Sequence, residues 1–312
     1  MPDLFKKIIT AFSLFFLLLS FSAKSQQTYD LNGLRDLTDY WEINGTIGAN
    51  AFLGDLGGNL GIGKPLLKDY MLKTNKLLWG LSGTYNRTNY LAFNFGFSFT
   101  KVIGVDSFIH NSGGMERWRW YRNLTFRSKL YEVYGDVTFY PIMYVDRKRI
   151  ELHRLNPFIT AGIGIFHFRP QAQLDGEWID LQPLSLEGQG FKEYPDRKPY
   201  KLTQIYIPIN VGFKYYIDNK WAVSTGMLMR KTFTDYIDDI STTYVDPQLF
   251  YKYFTPEKAA IASQLYERSR TPWKVKPGIE KADHKDLDSY ITFFLGLSIR
   301  LDKYTPFYYP KL

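Results

Sequence analysis

The stretch with the most enzyme-like spacing is Gly58–Lys64, which reads GNLGIGK. Its glycines and lysine match a phosphate-binding loop, in which backbone N–H groups and a lysine hold the phosphates of a nucleotide. The next residue is Pro65, where such a loop needs a serine or threonine for magnesium and the start of a helix. The match therefore lacks the residue that would bind magnesium, and we predict no nucleotide or other cofactor.

The histidines are the next candidates for catalysis or metal binding. They are His110, His153, His167 and His284. They fall in different predicted loops or at strand ends, without the spacing of a zinc site or a catalytic triad. The sequence has no cysteine, which excludes a thiolate metal site and a disulfide framework. We therefore predict no catalytic residue and no metal ligand among them.

A group of acidic residues lies near the start of the longest predicted loop. Its members are Asp235, Asp238, Asp239 and Asp246. Carboxylate oxygens are calcium ligands, so one interpretation is a calcium site at the base of this loop. The other is that these residues cap turns and pair with their neighbours Arg230 and Lys231. The second role is the more frequent one for such residues, and it is the one we adopt.

The run Arg117–Arg122, RWRWYR, alternates cations with aromatic rings. Such a run could hold the phosphates and bases of a nucleic acid, or the phosphates of lipopolysaccharide. It lies in a loop predicted from Val105 to about Ser128, beside the end of a predicted membrane strand. Contact with lipid headgroups is therefore the simpler interpretation, and we predict outer-membrane lipids and no nucleic acid as partners.

The N-terminus has the layout of a secretory signal peptide. Lys6 and Lys7 precede the apolar run AFSLFFLLLSF, and AKS at 23–25 is a small-x-small cleavage site. We predict a signal peptide over residues 1–25, with cleavage before Gln26. No later stretch is apolar enough for a transmembrane helix, so insertion into a membrane would need a closed β-barrel.

The remaining apolar residues are spread by alternation. Aromatic residues make up 18% of the 312 residues, yet the mean hydropathy is −0.27. The clearest alternation is Ile205–Phe233, which predicts two strands joined by a tight turn at Asp218-Asn219. In its first half, isoleucines and valine at 205, 207, 209 and 211 share one face. The net charge of +8 is a modest basic excess that suits an anionic membrane surface.

The same alternation predicts eight strands in all. They are Asp39–Phe52, Leu77–Tyr85, Tyr90–Ile103, Lys129–Pro141, Pro157–Phe168, the two strands of Ile205–Phe233, and Asp288–Leu301. Each has the roughly 9–11 residues that a tilted membrane strand needs. A helix is predicted at Pro256–Ser269, inside the longest loop.

Long and short connections alternate along the chain. Long loops follow the first, third, fifth and seventh strands, and shorter connections follow the others. This predicts an all-β fold: an eight-stranded antiparallel up-and-down transmembrane β-barrel with long extracellular loops and periplasmic termini. The domains are then the signal peptide, a periplasmic lead-in at 26–38, the barrel at 39–301 and a periplasmic tail at 302–312.

Charged residues on the polar faces are expected to pair inside the lumen. The acids are Glu42, Glu132 and Asp136, and the cations are Lys214, Arg230 and Arg300. An eight-stranded barrel is just wide enough for its own side chains, so a diffusion pore is not expected. On the outer face, interfacial girdle residues are predicted at Trp79, Tyr85, Tyr131, Tyr140, Tyr215 and Trp221.

Two segments resemble a known family. WEINGTIGANAFLGDLGG at 41–58 and the run from Gly188 to Pro247 resemble the Bacteroidota outer-membrane β-barrel family of unknown function that includes PorG-like proteins. Its most specific marks are Phe52–Gly57 and Arg230–Asp239. The resemblance implies the outer membrane of a Gram-negative cell. For the PorG-like branch it implies a part in type IX secretion, through contact with a periplasmic ring of partner proteins.

The leading hypothesis is a non-enzymatic integral outer-membrane barrel that scaffolds or anchors an envelope assembly such as type IX secretion. It would present 144–156 and both termini to periplasmic or lipoprotein partners. The alternative is a secreted soluble lipocalin-like barrel that binds a small apolar ligand and buries its apolar faces inwards. A third hypothesis, a lipid-modifying or proteolytic enzyme, would need a serine, a histidine and an acid to converge at the outer rim.

Overall fold

The computed structural model describes residues 39–56, 74–108, 116–145, 153–218, 220–271, 274–282 and 286–301. Several predictions fall outside these ranges. They are the signal peptide at 1–25, the lead-in at 26–38, the tail at 302–312, the loop Gly58–Lys64, His110, His284 and the charged connection at 146–152.

Nine strands make up the sheet. They are β1 Tyr40–Leu53, β2 Lys76–Asn86, β3 Leu91–Val105, β4 Thr125–Phe139, β5 Leu155–Leu174, β6 Glu177–Asp180, β7 Thr203–Tyr216, β8 Trp221–Thr232 and β9 Ser289–Arg300. Each long strand pairs with its neighbours in antiparallel fashion, β1 pairs with β9, and β5 pairs with β7 as well as with β4. Eight strands thus form a closed barrel, and the predicted fold is confirmed. The short β6 pairs only with the far end of β5.

The barrel is apolar outside and polar inside. Phe95 is 69% exposed and Ile163 is 62% exposed, while the inward Arg230 is 1% exposed. A continuous apolar belt on a closed sheet matches the hydrocarbon of a bilayer and would be unfavourable in water. The chain is therefore an integral outer-membrane β-barrel. The soluble lipocalin-like alternative is wrong, because it requires the opposite arrangement of faces.

Two strands extend furthest beyond their predicted bounds. β4 begins at Thr125 rather than Lys129, and β5 runs to Leu174 rather than Phe168. The extension of β5 turns through Asp175 and Gly176, both with positive φ, into β6. Two such residues between paired strands form the type of turn that fits the twist of a hairpin. The Asp-Gly pair is a hairpin signal inside the loop predicted at 169–201.

Helices lie only in the connections within the described residues. They are α1 Glu116–Arg122, α2 Pro141–Val145, α3 Gln248–Tyr253 and α4 Pro256–Tyr266. The predicted helix in the longest loop is confirmed, and ends three residues earlier than expected. α1 corrects the prediction of a loop for the RWRWYR run. No helix in the described ranges is long and apolar enough to cross a membrane.

The short-turn end of the barrel is filled by an apolar cluster. Tyr140 and Met143 pack there with Phe158 and Phe294. Tyr140 is only 5% exposed, so its assignment to the outer girdle is wrong. Inward residues of β4 have even numbers, and Tyr140 continues that parity just beyond the strand. Trp79 and Tyr131 are exposed as predicted, at 57% and 53%.

Candidate functional site

The connections at the long-loop end fold into a body of their own, here called the cap, at 170–202, 233–271 and 274–282. Its core contains Ala172, Leu181, Leu184, Leu186, Phe191, Tyr244, Val245, Phe250, Ala259, Ala262, Leu265 and Tyr266. The Phe191 and Tyr253 rings stack with centroids 4.2 Å apart. Tyr266 donates a hydrogen bond to the carbonyl of Val245. The longest connections of this chain therefore form a packed core rather than separate surface loops.

A second core joins the cap to the barrel mouth. Phe126, Phe166 and Tyr290 point inwards from their strands and pack with Ile237 and Ile240 from the cap. All five side chains are nearly or fully buried. An apolar contact of this kind excludes water and stabilises the cap in one position on the barrel.

An acidic junction lies in this contact. It consists of the half-buried Asp55 and the buried Asp235, Asp238, Asp239 and Asp288. The Asp238 carboxylate accepts hydrogen bonds from the N–H groups of Leu56, at 3.2 Å, and Ile240, at 3.0 Å. Asp288 accepts from the N–H of Ile237 at 2.8 Å. Since Leu56 belongs to Phe52–Gly57 and Asp238 to Arg230–Asp239, the junction brings together the two most specific marks of the sequence.

Burial changes the acidity of the junction. The pKa of Asp238 is raised well above its ordinary value by burial and by the charge of Asp55. The pKa of Asp288 is raised well above its ordinary value by burial and by the charge of Asp238. Burial raises the pKa of Asp239 to about 7, although a hydrogen bond from the Tyr200 hydroxyl, at 2.5 Å, opposes the shift. The pKa values of all three carboxyls are therefore shifted upwards, and Asp239 titrates close to neutral pH.

The sequence left two interpretations of these acids, a calcium site and turn capping with ion pairing. In the described ranges, no group of three or more acidic, histidine or cysteine side chains is arranged to hold a metal ion, so no geometry there supports the calcium interpretation. Asp246 caps α3 by accepting from the N–H of Gln248 at 3.0 Å. The predicted pairing with Arg230 is wrong, because that guanidinium pairs with Glu132 inside the lumen.

Arg122 ties three connections together beside the junction. Its guanidinium forms two hydrogen bonds with the Asp106 carboxylate, at 2.9 and 3.0 Å. It also donates to the carbonyls of Lys281, at 2.5 Å, and Asp55, at 2.7 Å. Both side chains of the ion pair are buried, and the carboxylate holds the pKa of Arg122 above its ordinary value against the effect of burial. The last residue of the RWRWYR run is thus a structural cation.

Glu187 fixes the two halves of the cap to each other. Its carboxylate accepts from the N–H groups of Ser241, at 3.1 Å, and Thr242, at 3.0 Å, and from the Thr242 hydroxyl at 2.8 Å. The Lys281 ammonium lies 3.9 Å away. Sequence reasoning missed Glu187, Arg122 and Asp106 as a group, because no spacing pattern connects them, and Arg122 was interpreted only as part of the run Arg117–Arg122.

The lumen is closed by buried ion pairs. Lys214 contacts Glu42 at 2.5 Å, and Arg230 contacts Glu132 at 3.1 Å. Arg230 also donates to the Thr292 hydroxyl at 2.6 Å. These two of the predicted pairs are confirmed. The lumen holds a cavity of about 120 Å³, which has room for several ordered water molecules.

The other two charged lumen residues have different partners. Asp136 accepts a hydrogen bond from the Asn94 amide at 2.5 Å. The Arg300 guanidinium lies over the ring of Tyr40, 4.0 Å from its centroid. Neither is in the ion pair that the sequence led us to expect. His167 lies on the outer wall, where a ring nitrogen is 3.1 Å from the Thr203 hydroxyl.

Comparison with known proteins gives structural likeness alone. No family model matches the chain, and no curated protein matches it. The alignment with the Neisserial surface protein A covers 84% of this chain and 97% of that protein's chain, with 10% identity and a TM-score of 0.36. The alignment with Ail of Yersinia pestis covers 85% of this chain and 99% of the Ail chain, with 10% identity and a TM-score of 0.36. The alignment with OprG of Pseudomonas aeruginosa covers 88% of this chain and 98% of the OprG chain, with 10% identity and a TM-score of 0.33.

Proposed function

We propose that this barrel is a non-enzymatic anchor that holds an envelope assembly at the outer membrane. The observation that carries the proposal is the cap: it has its own core and is joined to the barrel by the acidic junction and by Arg122. A packed body fixed to a membrane barrel is suited to presenting a surface of constant shape to a partner.

The sealed lumen supports anchoring over transport. A pore or carrier needs a continuous aqueous path, whereas the path here is interrupted by two buried ion pairs and by the core at the barrel mouth. Opening it would separate buried charges in a region with little water, at a cost of several kcal/mol per pair. The energy of the fold favours a closed barrel.

The assembly we propose is a secretion complex such as type IX secretion. The support is the resemblance carried by Phe52–Gly57 and Arg230–Asp239. Its partners would meet the barrel at the periplasmic end, where the connection at 144–156 carries Asp146, Arg147, Lys148 and Arg149. Replacing these four residues with alanine should weaken capture of periplasmic partners and leave the barrel folded. Unchanged co-purification of those partners would exclude this contact.

Photo-crosslinking in intact envelopes tests the anchor proposal at both ends. One photoreactive residue replaces Tyr251 on the cap, which is 58% exposed, and another replaces Val145 at the short-turn end, which is 76% exposed. The matched control is Phe95 in the lipid belt, at 69% exposed. We expect a discrete protein adduct from at least one end and none from position 95.

The outcomes distinguish the general proposal, an anchor with a protein partner, from the specific one, a periplasmic secretion partner. An adduct at Val145 that is lost with the alanine variant of 146–149 supports a periplasmic secretion partner. An adduct at Tyr251 alone supports an external partner and excludes the periplasmic one. The absence of a protein adduct at both ends, with the barrel present in the membrane, would overturn the anchor proposal.

A further inference from the structure

Three cations stand in one row across the outer wall of the barrel. Lys101 on β3 is directly opposite Lys129 on β4, and Lys129 is directly opposite Arg169 on β5. We call these three residues the cationic row. All three alternate with buried inward residues, so their side chains leave the sheet on the lipid side. The side chain of Arg169 is 54% exposed.

The cationic row lies at the upper border of the apolar belt. Two residues below it along the strands, the rings of Phe99 and Tyr131 contact each other with centroids 5.0 Å apart. Below that pair the wall is hydrocarbon-like, with Val133 51% exposed. Two residues of a strand tilted by about 40° correspond to about 5 Å along the membrane normal. The row therefore lies where lipid headgroups begin, immediately above the aromatic girdle.

The row carries more positive charge than its neighbours neutralise. Arg169 forms a two-fold ion pair with Asp180 of β6, at 2.7 and 2.5 Å. No carboxylate of the described residues lies within ion-pair distance of Lys101 or Lys129. Like charges at directly opposed positions destabilise a sheet. An anion shared by the two lysines would remove that cost.

Arg127 extends the positive charge one row higher. It belongs to the outward positions of β4, its guanidinium lies 3.6 Å from the centroid of the Trp178 ring, and it donates to the side-chain oxygen of Gln171 at 3.0 Å. These contacts hold the guanidinium against the wall rather than leaving it to sample solvent. The cationic row and Arg127 together form a fixed, two-tiered positive patch.

The cations of the patch lie on adjacent strands. Continuing the β5–β7 register beyond the pair His167 and Thr203 places the exposed Lys201, just before β7, opposite Arg169. Cations that are opposed on neighbouring strands fit the phosphate groups of one lipid molecule held at one place.

We infer that the cationic row binds the phosphate groups of a lipid A-type lipid of the outer leaflet. Its acyl chains would lie along the adjoining apolar wall at Phe97, Val133 and Ile165, which are directly opposed across the same three strands. Phosphate binding by lysine and arginine is strengthened at such a border, where water is scarcer than in bulk. The site goes beyond the proposed anchoring role, since it fixes the barrel relative to its lipids.

The test measures lipid binding by the purified full-length protein in detergent, by native mass spectrometry. The probes are bisphosphorylated lipid A and its fully dephosphorylated form. We expect the phosphorylated lipid to bind the wild type more tightly, and K101Q/K129Q to weaken that binding by about 30-fold, from the usual contribution of two interfacial lysines. The conservative variant K101R/K129R should retain binding within a few-fold.

The matched control is K198Q/K274Q, which removes the same charge from exposed positions on the cap. It should bind the lipid like the wild type. Equal binding by the wild type and K101Q/K129Q, or equal binding of the two lipid forms, would overturn the inference. So would displacement of the lipid by inorganic phosphate at millimolar concentration, because the site would then recognise a free anion. Heat-modifiable gel mobility verifies that each variant is folded.

Discussion

The lumen and the acidic junction both contain buried carboxylates, but these carboxylates have different partners. In the lumen Glu42 and Glu132 each contact a cation, at 2.5 and 3.1 Å. In the junction Asp238 and Asp288 are held by backbone N–H groups and lie close enough to repel each other. These two lumen carboxylates are therefore in neutral pairs, whereas the junction becomes neutral only by binding protons. The comparison predicts that the two lumen pairs respond little to pH and that the attachment of the cap responds to it.

The largest effect is expected from breaking a lumen pair. R230A leaves the Glu132 carboxylate buried without its cation, and removing one partner of a buried pair costs about 3–5 kcal/mol. The midpoint of urea unfolding in detergent, followed by tryptophan fluorescence, should fall accordingly. The double variant E132Q/R230M should lose less, because no charge is left unpaired. Equal midpoints for R230A and the wild type would show that the pair does not stabilise the barrel.

A second, smaller effect is expected from pH alone. The folded pKa of Asp239 is about 7, above its ordinary value of 3.8. Between pH 3.8 and pH 7, the folded cap therefore holds a proton that the unfolded cap has released. Stability therefore falls as pH rises through this window, and levels off above about 7. From pH 8 to pH 5 we expect the cap to gain about 2–3 kcal/mol.

Limited proteolysis and hydrogen exchange of the cap at the two pH values measure this gain. The barrel strands of the same sample are the internal control, since their buried pairs should keep the same protection. A cap whose protection factors, corrected for the pH dependence of intrinsic amide exchange, are lower at pH 5 than at pH 8 would contradict the predicted sign.

The smallest of the three effects isolates one carboxyl. D239N removes the titration and keeps an oxygen that accepts from the Tyr200 hydroxyl. Asp239 has a φ of 65°, a conformation that asparagine also tolerates. We expect D239N to stabilise the cap by about 1–2 kcal/mol at pH 8 and to reduce its pH dependence. D246N, at the half-buried start of α3, is the matched control and should change neither. A D239N cap that keeps the full pH dependence would assign the titration to Asp238 and Asp288.

The barrel could be predicted from sequence because its signals are local. Alternation along Ile205–Phe233 and the turn at Asp218-Asn219 depend on residues that are neighbours in the chain, and the partners of Glu42 and Glu132 follow once the faces are known. The ends of β4 and β5 were harder, since Arg127 and Arg169 break the apolar pattern just where the strands leave the membrane. α1 was missed because seven residues rich in tryptophan and arginine carry little helix periodicity.

The junction could not be predicted from sequence in the same way. The hydrogen bond between Leu56 and Asp238 joins residues 182 apart, and Asp288 meets Ile237 across 51. Nothing local marks Asp288 or Arg122 as buried, since Asp288 only begins a predicted strand and Arg122 ends the RWRWYR run, for which the sequence predicts contact with lipid headgroups. Their burial follows from packing of the cap on the barrel mouth, which is a property of the whole fold.

The sealed lumen is the claim that decides between an anchor and a transporter, and single-channel recording in planar bilayers tests it most directly. Because Arg230 and Glu132 close the lumen and the barrel mouth is filled, we predict that the wild type gives no stable open-channel conductance at pH 8 or pH 5. R230A, where it remains folded, should give at most brief openings. Steady conductance steps from folded wild-type protein would contradict the account and would require a path through the lumen.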